Sequence, residues 1–147
     1  MSSLSQNRQA YHDFEVVEKF VAGIALQGTE VKSCRAGDIS LAEAYAAVED
    51  GDLWLQNCHI APYAQGNRQN HEPKRPRRLL MHKAEIRKLK QATEAKGMTV
   101  VPLAFFLQKG KIKVELGLCR GKNVADKRET LKRKTAEREI RREIRGR

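Results

Sequence analysis

Four histidines, three cysteines and one loop rich in Arg, Asn, His and Tyr are the residues of this chain whose types could do chemistry. His12, His59, His71 and His82 show no HExxH or HxxxH spacing, and Cys34, Cys58 and Cys119 show no CxxC spacing. Cys58 and His59 are neighbours, and on a strand their side chains would face opposite sides, so the two cannot easily share a metal ion. Gly121-Lys122 lacks the upstream glycine and the following Ser or Thr of a phosphate-cradling loop. Two histidines and a lysine could in principle cleave RNA by general acid–base catalysis, but no spacing supports that arrangement. The residues therefore predict no catalytic centre, no metal and no cofactor.

Binding chemistry is better supplied. Residues 62–78 hold three of the four prolines, five Lys/Arg (Arg68, Lys74, Arg75, Arg77 and Arg78), Asn67, Asn70 and His71, with Tyr63 near the start. Guanidinium planes and rings stack unpaired bases, and amides bond base edges. A solvated surface loop would have a similar composition. Glu30 fits a carboxylate at a helix start, and would be unusual in so basic a chain if it faced RNA.

The elements that must position these residues follow from periodicity. Residues 1–11 are polar and predict a mobile segment. Apolar residues then recur at period two from Phe14 to Leu26, a long strand with Gly23 as a bulge or sharp coil of the sort a small barrel needs. Thr29 can cap a short helix over 30–35. Residues 44–48 and 53–60 form a hairpin around Asp50-Gly51. A helix is predicted over 79–96, with Leu79, Ile86, Leu89 and Thr93 on one stripe and Gly97 just past its end. A second hairpin, 98–107 with 112–118, turns at Lys109-Gly110. Short strands with hairpin turns predict a mainly β chain: a small antiparallel β-barrel over residues 1–119 resembling the oligonucleotide-binding fold, with two or three helices.

Residues 120–147 are different. They carry twelve Lys/Arg against five Asp/Glu, an excess of seven out of a net +11 for the whole chain. Large apolar residues are few there, so the segment cannot bury enough surface to offset the entropy of ordering itself. It lacks proline, and Glu129, Glu137 and Glu143 stand four residues before Arg133, Arg141 and Arg147. These features predict a tail disordered when free and helical against a polyanion; a solvated, merely solubilising tail shares the composition. With a pI near 9.9 the chain expects a polyanionic partner. No apolar run is long enough to span a bilayer, the start lacks the order of a signal peptide, and the tail has too few apolar residues for a membrane interface. Three unpaired cysteines fit reduced thiols in the cytoplasm.

Five blocks together carry a resemblance. Asn7-Arg8 with Ala10 and His12, Ala22-Gly23-Ile24 through Gly28-Thr29-Glu30-Val31-Lys32-Ser33, Asn57 with His59-Ile60 and Pro62-Tyr63, Pro73 with Arg75, Arg77 and Leu79-Leu80, and Gly121-Lys122 with Asp126-Lys127-Arg128 stand in one order and spacing. In these the chain resembles small protein B, the SsrA (transfer-messenger RNA)-binding protein family. The resemblance implies a bacterial, non-enzymatic factor of trans-translation. Its barrel would bind the transfer-RNA-like domain of transfer-messenger RNA through Asn7, Arg8, His12, Glu30, Lys32, Asn57, His59, Tyr63, Arg68, Arg75 and Arg77. Its tail would occupy the decoding site and vacant message channel of a stalled 70S ribosome, chiefly against small-subunit RNA, through Gly121, Lys122, Asp126, Lys127, Arg128, Lys132, Arg133 and Lys134. The implied outcome is ribosome rescue and peptide tagging, with a monomeric protein that meets elongation factor Tu only through the RNA. The alternative is a general single-stranded RNA-binding protein. Cys58, a thiol between Asn57 and His59, departs from the expected pattern.

Overall fold

The structure, a computed structural model, describes residues 2–63 and 70–121. Its elements run β1 (Ser2–Gln6), α1 (Arg8–Asp13), β2 (Phe14–Ile24), α2 (Gly28–Arg35), β3 (Ile39–Ser40), β4 (Tyr45–Glu49), β5 (Asp52–Gln56), β6 (His59–Ile60), β7 (Arg77–Leu80), α3 (Lys83–Lys96), β8 (Thr99–Gln108) and β9 (Lys111–Gly121). Among the described residues the main sheet runs β1-β8-β4-β5-β7-β2-β9, and a further pairing of β8 with β9 closes it into a six-stranded antiparallel ring. This is the small barrel that the strand pattern predicts. β1 lies outside the ring on β8, and β3 pairs with β6 in a separate two-stranded ladder.

Both predicted tight hairpins form. Asp50 and Gly51 have φ of 53° and 83°, and Lys109 and Gly110 have 53° and 78°, the positive pair that matches the twist of antiparallel strands. α3 ends where Gly97 takes the left-handed conformation, φ 65°.

Five local expectations are corrected. Composition predicts a mobile segment over 1–11, yet β1 ladders along β8 from Ser2 opposite Leu107 to Gln6 opposite Ala104, and Asn7 caps α1. The polar side chains lie outside the main core, so hydropathy carries no trace of the strand. The break in β2 falls between Val16 and Glu18, whereas Gly23 is the corner where the strand pairs with both β9 and β7. α2 is capped by Gln27, not Thr29, in a reciprocal capping box with Glu30. The strand predicted over 53–60 breaks at Asn57, which adopts φ 59° and separates β5 from β6. Finally, Leu79 belongs to β7, not to the long helix; it pairs with Leu53 on one side and Ile24 on the other.

The barrel interior is filled by Ala22, Leu53, Leu55, Leu79, Phe105, Val114 and Leu116, and α3 closes onto this core with Ile86, Leu89 and Ala92. Each fully buried Leu contributes about 1.5–3 kcal/mol relative to exposure. β8 is buried on both faces, because Val101, Leu103 and Cys119 form a second cluster under Ala10 of α1. Gly117 makes that layer possible: a Cβ there would stand 2.9 Å from Leu103 Cδ1. Pro102, which has no N–H to give the ladder, stands beside the β8–β9 register shift between Pro102 and Ala104; its carbonyl oxygen accepts from Asn7 Nδ2 at 2.9 Å.

Candidate nucleic-acid interface

Sequence positions 45 and 47 residues apart meet at Glu30. The capping box brings the Glu30 carboxylate back over the start of α2, where Gln27 N–H donates to Oε1 at 2.8 Å. Arg75 arrives just before β7, donating from Nη2 to Oε1 at 2.6 Å and from Nε to Oε2 at 3.2 Å. Arg77, the first residue of β7, donates from Nε to Oε2 at 2.7 Å, and its Nη1 reaches the Cys58 carbonyl at 2.7 Å. Its Nη2 also donates to the carbonyls of Glu72 (3.3 Å) and Pro73 (3.0 Å). Glu30 and Arg77 are wholly buried, while the Arg75 side chain is 29% exposed. Burial alone would raise the Glu30 pKa, but hydrogen bonds from Arg75, the Gln27 N–H and Arg77 outweigh it and hold the carboxyl below its ordinary value. One carboxylate faces two guanidiniums, so the cluster keeps a positive surplus, and Arg75 is its exposed member.

A second set of bonds fixes the crossover from β6 to β7. His71 is buried; its Nε2 donates to the Ile60 carbonyl at 2.9 Å and its Nδ1 pairs with the Thr29 hydroxyl at 2.8 Å. Asn70 holds both backbone groups of Tyr63, its Oδ1 accepting from the N–H at 2.9 Å and its Nδ2 donating to the carbonyl at 2.6 Å. Above this frame Lys32 on α2 places its ammonium 5.4 Å from the Tyr63 ring centroid. Lys32 thus stands over the Tyr63 ring at the crossover, and Arg75 is held on Glu30 of the same helix: a flat ring with a cation over it, and a partly exposed guanidinium, suited to stacking and phosphate contact.

The other candidates are distributed differently. Asn7, Glu30 and Arg77, expected to touch RNA, are buried with their polar groups engaged inside the fold. Asn7 donates from Nδ2 to the Leu41 and Pro102 carbonyls and accepts from Ala10 N–H through Oδ1. Arg8 and His12 are exposed on α1, which packs on β2 and β8, and His12 contacts Asp13 at 3.0 Å. Asn57 is half-buried and donates to the Glu43 carbonyl at 3.2 Å, so Asn7 and Asn57 tether the same 41–43 segment from two sides. His59 is half-buried on β6 opposite Ser40. Gly121 ends β9 opposite Phe14. Arg68, Lys122, Asp126, Lys127, Arg128, Lys132, Arg133 and Lys134 lie outside the described residues, as does the rest of the predicted tail.

Sequence reasoning missed Gln27, Thr29, Asn70 and His71 as the residues that hold this site. Gln27 stands outside the Ser/Thr-x-x-Glu capping-box pattern, so its N-cap position carries no sequence signal beyond Glu30 three residues on. The cysteines carry no reactive chemistry here. Burial pushes the Cys34 and Cys58 thiols up to about 12 and Cys119 to about 11, leaving neutral, poorly nucleophilic groups. Cys58 is accommodated as an apolar core residue whose carbonyl serves Arg77. Among the described residues no three His, Cys, Asp or Glu converge as metal ligands, and no helix is long and apolar enough to cross a membrane.

Comparison with known proteins agrees with this geometry. A family model described as "SmpB protein" matches residues 4–146. A protein of Carboxydothermus hydrogenoformans named SsrA-binding protein is 54% identical over 144 residues, 98% of this chain and 97% of its own length. One of the same name from Bacillus subtilis is 53% identical over 142 residues, 97% and 91% of the two chains. A solved structure described as "tmRNA-SmpB: a journey to the center of the bacterial ribosome" superposes with a TM-score of 0.68 at 51% identity, covering 80% of this chain and 82% of that one.

Proposed function

The chain belongs to the SmpB protein family, and from that premise we propose that it binds transfer-messenger RNA and takes it to stalled bacterial ribosomes in trans-translation. The observation that carries this reading is the near-full-length identity to proteins named SsrA-binding protein. The geometry supplies a means. The Glu30–Arg77 pair stiffens the junction of α2 and β7, so that Lys32, Tyr63 and Arg75 meet the RNA already placed. Preorganised cations and rings reduce the ordering that binding would otherwise demand. Around this face Asn57 and His59 act as nearby polar contacts, and Arg8 and His12 as a separate contact on α1.

The role is non-catalytic: the RNA is held, not cleaved. The barrel is the RNA-binding domain; of the predicted tail 120–147, Arg120 and Gly121 complete β9, and the residues beyond form the ribosome-directed tail, unfolded when free and helical in the decoding site and message channel. Gly121, Lys122, Asp126, Lys127, Arg128, Lys132, Arg133 and Lys134 make the contacts with small-subunit RNA there. The protein acts as a cytoplasmic monomer and meets elongation factor Tu only through the shared RNA. Neutral, buried thiols support the absence of covalent chemistry.

Competition binding at fixed salt tests the reading, because phosphate contacts make affinity uninterpretable otherwise. A folded transfer-RNA-like RNA should displace unstructured RNA of equal length, with at least a tenfold preference. Equal competition by both RNAs, with the same steep salt dependence, would establish the general single-strand binder instead.

A further inference from the structure

The start of β2 borders a surface that the RNA reading leaves unused. Between it, the last turns of α3 and the end of β9 lies a groove of about 530 Å³, within the ~300–1,000 Å³ range of ligand sites. A break in the β2–β9 register builds it. Val16 stands opposite Cys119 and Glu18 opposite Leu118, so Val17 is an extra residue bulged out between them. Val17 and Glu18 both line the groove, which strict strand alternation would forbid. Val17 is 45% exposed, and Ala92, Ala95, Met98 and Leu118 continue the apolar lining. The charges beside it are matched: Lys88 Nζ lies 2.9 Å from Glu18 Oε2, and Arg120 Nε lies 3.5 Å from Glu15 Oε1.

We propose that this groove seats the root of the chain's own tail, with the Val124 side chain lodged against Val17, Ala95 and Met98. Continuity selects the occupant. β9 ends at Gly121, one residue past Arg120, which itself lines the groove. Leu118 and Arg120 share that face of β9, and the same alternation carries Lys122 and Val124 toward it. Val124 is the first apolar residue after Cys119 and stands four positions beyond Arg120, a span of at most ~14 Å. Gly121 and Asn123 are turn-forming residue types that let the chain bend over the groove. Charge agrees with this choice. Paired ions around an apolar lining favour an uncharged side chain, whereas a nucleic-acid strand would set its phosphates against Glu15 and Glu18. One anchored side chain leaves the rest of the tail unfolded. It also fixes the tail's origin at the end of β2 far from α2, away from Lys32 and Tyr63. A seat within one chain needs no RNA to form.

Amide spectra of the isotope-labelled full chain test this seat. Val124→Ser should shift the resonances of Val17, Glu18, Ala95 and Met98, all remote from it in sequence, with the melting temperature nearly unchanged. Ala95→Gln keeps a good helix former on α3 and fills the groove from the opposite wall. It should move the Asn123 and Ala125 resonances to the positions that Val124→Ser gives them, because both changes free the root. Trypsin should cut after Lys122 about fivefold faster in either variant, since cleavage follows the population of released chain. Affinity for a transfer-RNA-like transcript should match the parent. Shifts confined to the neighbours of each substitution, or tryptic cleavage at the parent's rate, overturn the proposal. Groove resonances of the parent that move on dilution assign the surface to a second copy of the chain, and loss of RNA affinity in the variants assigns it to RNA. Either outcome also overturns the seat.

Discussion

Replacing Glu30 with glutamine keeps the shape of the side chain and removes its charge. In the folded protein that charge is matched by Arg75 and by Arg77, and Arg77 is wholly buried. Without it, Arg77 keeps its carbonyl partners at Cys58, Glu72 and Pro73 but becomes an uncompensated buried cation. Breaking a buried pair by removing one partner costs about 3–5 kcal/mol. At roughly 3–5 °C per kcal/mol for a domain of this size, the melting temperature should fall by roughly 10–20 °C. Arg75→Ala is the companion. Arg75 is partly exposed, and its removal leaves Glu30 still paired with Arg77 and the Gln27 N–H, so a cost of about 1–2 kcal/mol is expected. The pH dependence has a definite sign. The folded Glu30 carboxyl titrates below its ordinary value, which is about 4.3. Its stabilisation is therefore fully present above that ordinary value and is lost as pH falls through the lower folded one. Thermal melts of parent and Glu30→Gln between neutral and acid pH should show a large gap that narrows only on acidification. A variant that melts within a degree or two of the parent at neutral pH, yet loses RNA affinity, would refute the scaffold assignment and return Glu30 to the RNA surface.

Three further outcomes are expected. Asn57 holds φ 59°, so Asn57→Ala should cost about 1–2 kcal/mol in urea unfolding through left-handed strain and the broken bond to Glu43, and Asn57→Gly should cost less. The three thiols, all buried and neutral near pH 8, should resist a disulfide-exchange reagent in the native protein and all react after denaturation. A chain ending at Gly121 should bind transfer-messenger RNA within a few-fold of the parent yet fail to support peptide tagging, and Lys127→Ala plus Arg128→Ala should lose tagging with stability changed by less than ~0.5 kcal/mol.

What could be read in the chain was what local rules govern. Asp50-Gly51 and Lys109-Gly110 marked both hairpins, because positive φ at two successive positions has few residue solutions. Gly97 marked the end of α3 for the same reason. Leu79 misled, since its spacing to Ile86 fits a helical stripe, whereas its actual partners, Leu53 and Ile24, lie on strands far away in sequence. β1 was invisible because its ladder on β8 is made by backbone groups, which no side-chain pattern reports. The candidate site divides along the same line. Lys32, Tyr63 and Arg75 could be named by type, and the structure sets Lys32 over the Tyr63 ring and Arg75 on Glu30. That Glu30 and Arg77 are interior to the fold could not be foreseen, because their mutual neutralisation depends on a closure across 47 positions.

Arg77 has one more implication, for protein engineering. A single guanidinium grips the carbonyls of Cys58, Glu72 and Pro73, and Asn70 ties itself to Tyr63. The two stems of the β6–β7 crossover are thereby fastened to one another independently of whatever chain joins them. An epitope inserted between residues 64 and 69 should therefore leave the melting temperature of the barrel unchanged, because the stems on either side are held by Arg77 and Asn70.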